Sequence, residues 1–154
     1  MDIIRNLGWS GNSAQLYVSL HLTKFTHMPK ILISSSRVLL GLIFLVFGLN
    51  GFYTFIPVPE FHPFMEILVS SGYIYIIKII EVIGGFLLLS NRFMPLALAL
   101  LIPDVVNIAA YHILLDHRNW FIVPVLLILT GILVFSYRQY FKSIFAFKIK
   151  VNAG

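Results

Sequence analysis

Between Arg37 and Tyr137 the chain holds four apolar runs, Val38–Ile56, Ile67–Leu89, Met94–Leu115 and Asn119–Tyr137, with only short turns between them. Each is close to the roughly 20 residues an α-helix needs to cross a bilayer core. With 59% hydrophobic and 11% charged residues and a mean hydropathy of +0.93, the chain cannot cover a water-facing surface. A soluble domain has roughly 25% charged residues. Ser90-Asn91-Arg92 and Asp116-His117-Arg118 are turns short enough to set consecutive helices side by side. The predicted fold is therefore all-α: a polytopic membrane protein built as an antiparallel, up-down four-helix transmembrane bundle.

The net charge of +5 does not mark a nucleic-acid binder, because of where the charges lie. Arg5, Lys24, Lys30 and Arg37 precede the first run, Arg92 lies between the second and third, and Arg138, Lys142, Lys148 and Lys150 follow the fourth. The other two loops contribute only Arg118 and carry Glu60, Glu66 and Asp116. Positive charge that alternates from side to side predicts cytoplasmic termini. The expected location is a multi-pass protein of a plasma or bacterial inner membrane. The basic tail interleaves Tyr140, Phe141, Phe145 and Phe147 with its cations, a pattern suited to the surface of an anionic bilayer.

Three parts are expected: a cytoplasmic extension over 1–36, a membrane domain over 37–137 and the basic tail over 138–154. Residues 1–30 are mixed and lack the apolar stretch of a secretory signal. Met28-Pro-Lys followed by an apolar stretch has the character of a start, so the first 27 residues are expected to be a dispensable extension or the product of a misplaced start. The chain has no cysteine, so thiol chemistry would have to belong to a partner. Pro57, Pro59 and Pro63 predict a rigid external turn after the first span.

The most informative residues lie inside the runs. Lys78 falls near the middle of the second run, with Glu81 three residues on, on the same helix face. An ion pair at membrane depth is expensive. It is read either as a structural clamp or as a proton-handling or polar-ligand site. In the third run Pro103 leaves the carbonyl of Ala99 without its amide donor. Asp104, Asn107 and Tyr111 follow at helical spacing, which predicts one polar stripe toward the outer surface. Lys78 shared between Glu81 and Asp104 would leave one excess negative charge, which one bound proton would neutralise.

Other polar groups have plainer readings. His112, His62 and His117 with Glu60 and Asp116 could meet at the outer face, but none has the close spacing of a strong metal motif, and no metal site is expected. Asn50 is read as an interhelical hydrogen bond. Gly41, Gly48 and Gly51 with Phe44 are read as a packing seam.

Arg37-Val-Leu-Leu-Gly-Leu-Ile-Phe-Leu-Val-Phe-Gly-Leu-Asn50 resembles the opening helix of DoxX-type membrane proteins. Lys78-Ile-Ile-Glu-Val-Ile-Gly-Gly-Phe-Leu-Leu-Leu-Ser-Asn-Arg92 resembles the second helix and its turn. Pro103-Asp-Val-Val-Asn107, followed by Tyr111-His112, resembles the third. The matched polar positions are Arg37, Asn50, Lys78, Glu81, Asn107 and His112. The resemblance implies a four-helix membrane protein, and some members are subunits of quinone-linked oxidoreductases of sulfur compounds or associate with thiol and oxidative-stress systems. Fold transfers from such a likeness better than function does. Asp104 departs from the apolar residue expected after the proline, and the lack of cysteine confines any thiol-linked role to an anchor or electron-path partner.

Three functions follow as expectations: a membrane subunit of a quinone-linked oxidoreductase, with Lys78, Glu81 and Asn107 near a quinone headgroup; a small-molecule or lipid transporter or binding protein; and an assembly scaffold. Expected partners are the bilayer and a soluble or membrane redox protein, with self-association left open. With no nucleophile, metal box or nucleotide loop, the isolated chain is not expected to be catalytic.

Overall fold

The computed structural model describes residues 28–57 and 62–141. The expected extension over 1–27, most of the proline-rich loop with Glu60, and the tail beyond Phe141 lie outside the described residues. The chain divides at Leu32/Ile33, and the packing below lies in the part from Ile33 onward. The described residues form five helices: α1 (Lys30–Tyr53), α2 (Pro63–Ser70), α3 (Ile74–Ser90), α4 (Met94–Leu114) and α5 (Ile122–Phe141).

Helices α1, α4 and α5 are long and apolar enough to cross a membrane, with hydropathies of 2.2, 1.7 and 1.7. Their outward surfaces carry exposed Leu42, Phe47, Val106, Ile113, Ile128 and Phe135, a surface for lipid rather than water. Leu40 and Phe44 of α1, Leu88 of α3, Ala97, Leu98, Leu101 and Val105 of α4, and Leu126 and Leu133 of α5 form one buried cluster.

The second run is not one helix. Helices α2 and α3 meet at 87°, and only the bent pair together makes a fourth candidate span. Ser70-Ser71-Gly72 explains the break. Both serine hydroxyls turn back onto the carbonyls of Ile67 and Leu68, which competes with helix continuation. Gly72 then takes φ +77°, a left-handed conformation that glycine adopts without steric cost. The midpoint of α3 is therefore Val82. Glu81 sits beside it, and Lys78, expected at the centre, lies about 6 Å toward the N-terminal end.

Helix α1 begins at Lys30, eight residues before the expected Val38, so Arg37 lies inside the helix. Its guanidinium donates to the carbonyls of Leu88 (2.6 Å) and Leu89 (3.1 Å), two of the last carbonyls of α3; that of Leu88 also accepts from the capping amide of Asn91. Asn91, at φ 54°, ends α3 in the left-handed conformation.

The α1–α3 contact is built on glycine. A Cβ on Gly85 would lie 2.7 Å from the Leu45 nitrogen and 2.9 Å from the Gly41 carbonyl oxygen, so the two backbones touch. Gly48 faces Val82 and Glu81, and Gly51 faces the Lys78 stem. The contacts run in opposite order along the two helices, 37 against 88 and 51 against 78.

Candidate functional site

Lys78 Nζ donates to both carboxylate oxygens of Glu81, at 2.7 and 2.9 Å. Glu81 is 3% exposed. Gly48 and Gly51 explain why the pair can be this deep: without side chains of their own, they let the Glu81 Cβ and the Lys78 methylenes lie against α1. The pair is thus satisfied internally and enclosed on one side by backbone.

Asp104 marks the midpoint of α4 and is 8% exposed. It lies on the buried seam of that helix, between Leu101 and Val105. It is within electrostatic reach of both Lys78 and Glu81, yet its Oδ2 has no hydrogen-bond partner among the described residues. Lys78 directs both of these hydrogen bonds to Glu81, so of the two expected partners Asp104 is reached by its charge rather than by a hydrogen bond. A three-residue helical step gives the lysine a partner on its own face, and that proximity wins.

A second orphan was not foreseen. Thr130 of α5 is 7% exposed, and its Oγ1 also has no hydrogen-bond partner among the described residues. It occupies the seam Val123–Leu126–Thr130–Leu133, whose leucines share the core cluster with Leu101 and Val105 of α4. The available signal was its position, a lone hydroxyl at a buried heptad step in an apolar run. An unsatisfied buried polar group costs about 1–3 kcal/mol, which makes these two atoms the least satisfied in the described core.

Asn107 does not join them. It is exposed on α4 while Asp104 is buried: a three-residue step leaves the two about 60° apart around the helix, and the edge of the buried seam falls between them. Tyr111 and His112 belong to a separate outer arrangement. Tyr111 Oη donates to Asp116 Oδ2 at 3.2 Å, and His112 Nδ1 lies 3.0 Å from the Asp116 carbonyl oxygen. Arg118 grips the Asp116 carboxylate at 2.9 and 2.8 Å and holds it well below the ordinary carboxylate range, mainly through those hydrogen bonds. Tyr111 also packs on His62 and Phe64 at the start of α2. This fastens the α4–α5 turn and the first residues of α2 together.

Asn50 is likewise local. Its Oδ1 accepts from the Ile56 amide at 2.6 Å, and its Nδ2 donates to the Ile56 carbonyl at 3.3 Å. It closes the end of α1 rather than bonding a neighbouring helix. Pro103 is exposed, so the Ala99 carbonyl it frees lies on the outer side of α4. Arg92 is exposed in the α3–α4 turn. Among the described residues, no three histidine or acidic side chains are grouped to hold a metal ion.

Of the residues expected near a quinone headgroup, Lys78 and Glu81 are bonded to each other, while Asn107 lies on the exposed side of α4. Comparison with family models, with curated proteins and with solved structures finds no match.

Proposed function

We propose that the chain is a four-crossing membrane protein, DoxX-like in plan, with the bent α2–α3 pair as its second crossing. The helices run alternately up and down, and both termini face the cytoplasm. Its role is that of a membrane subunit or anchor in a redox-linked system. Within that role, the Lys78–Glu81–Asp104 cluster takes up and releases one proton at membrane depth. One ammonium and two carboxylates leave a single negative charge, and a proton on Asp104 cancels it.

The carrying observation is the orphaned Asp104 Oδ2 in a core where Glu81 is already answered. Protonation removes the charge, which is the costly part of burying an unpaired carboxylate. The redox half of the proposal rests on the DoxX-like motifs, and no step is assigned to a quinone. A plain anchor is the second reading, favoured by the self-satisfied Lys78–Glu81 pair and its glycine seat.

The test is co-purification of tagged protein from native membranes in mild detergent, with proteins and extracted lipids identified by mass spectrometry. A stoichiometric redox protein is expected. Asp104→Leu should retain that partner and abolish its membrane-linked activity. A chain without a redox partner contradicts the redox role; a variant that keeps both partner and activity leaves only the anchor.

A further inference from the structure

Exposed residues on α4 include Ala99, Pro103, Asn107, Ala110 and Leu114. Steps of four, four, three and four place them on one helix face. Two polar groups lie on this stripe. The Ala99 carbonyl has no helical amide donor, because residue 103 is proline. The Asn107 carboxamide makes no hydrogen bond among the described residues. Asn107 is one turn from the midpoint of α4, so in a bilayer its amide lies in hydrocarbon, where an unpaired polar group costs several kcal/mol.

We propose that this stripe is the contact face of a two-fold dimer of the chain, in which the Asn107 carboxamides of the two copies bond each other. The chemistry of the group selects a second copy. A carboxamide carries both donor and acceptor, and two copies inserted in the same direction bring it to the same depth on a two-fold axis. The flanking Ala99 and Ala110 let the backbones approach. No charged side chain is exposed between Met94 and Leu114 to repel the other copy. The inference does not depend on the redox role.

The natural absence of cysteine makes the test clean. Ala110→Cys, one turn from Asn107 on the stripe, should give a disulfide-linked dimer on mild oxidation of membranes at native expression. Ile128→Cys, on the exposed side of α5, should not. Adding Asn107→Leu to Ala110→Cys should lower the cross-linked fraction several-fold at unchanged membrane abundance, while Asn107→Gln should retain it. A monomeric Ala110→Cys, equal cross-linking with Asn107→Leu or from Ile128→Cys, or capture of a different protein would each overturn the proposal.

Discussion

Glu81 and Asp104 are carboxylates in the same apolar interior, and they differ in what answers them. Glu81 receives two hydrogen bonds from Lys78, so removing its charge strands an ammonium. Breaking a buried pair on one side costs about 3–5 kcal/mol. Glu81→Gln should therefore lower the thermal stability of detergent-solubilised protein, and Lys78→Met/Glu81→Leu should recover most of the loss. Asp104 has an oxygen with no partner among the described residues, so Asp104→Leu should raise stability by about 1–3 kcal/mol while removing the proposed activity. A melting series over these variants checks both directions. Stability bought at the expense of function is the pattern expected of a strained working residue.

At the scale of elements, the glycines of α1 and α3 set how closely two helices approach. A methyl on Gly85 would strike backbone atoms of Leu45 and Gly41, which cannot turn aside as a side chain can. Gly85→Ala should destabilise the fold by about 1–3 kcal/mol, the usual range for overpacking. A Cβ on Gly131 of α5 would meet nothing within 4 Å. Gly131→Ala should instead gain up to about 1 kcal/mol from helix propensity. Thermal melts of the two variants should move in opposite directions. In the α4–α5 turn, the depressed Asp116 carboxyl has a defined sign. Its contribution is full above the ordinary carboxylate pKa of about 3.9 and is lost only as pH falls through the lower folded value. Amide exchange at Arg118 should stay slow at mildly acidic pH, and Asp116→Asn should speed it at neutral pH.

Elements were legible in the sequence wherever hydropathy alone decides them. The cores of α1, α4 and α5 fall within the apolar runs. The break in the second run was present as Ser70-Ser71-Gly72, but its apolar flanks concealed it in an average over a span. Lys78 and Glu81 could be paired from their spacing, since a three-residue step is local. The separation of Asp104 from Asn107 could not be read that way. Both fit a loose helical stripe, and only packing against α3 and α5 decides which of the two is buried. Arg37 was visible as a topology charge, whereas its bond to the α3 carbonyls spans 51 residues and depends on tertiary contact.

For the molecule as a whole, three helices meet the demands of a membrane span and a bent pair supplies the proposed fourth. With four crossings, the alternation of basic residues predicts a testable topology. Single cysteines introduced at Asn91 and His117 should be labelled by a membrane-impermeant thiol reagent from opposite faces, with Asn91→Cys reached from the cytoplasm. Labelling of both from one face would remove the odd number of crossings placed between them. The proposed topology would set the ends of the helices at the membrane surfaces and leave the Lys78–Glu81–Asp104 cluster between them.

The most direct measurement is therefore an infrared difference titration of the protein in lipid nanodiscs, comparing wild type with Asp104→Leu over the pH range in which both stay folded. The proposed proton site predicts a carboxyl band that titrates in wild type and is missing from the variant. Superimposable difference spectra would contradict it, and the cluster would then be a fixed structural knot between the helices.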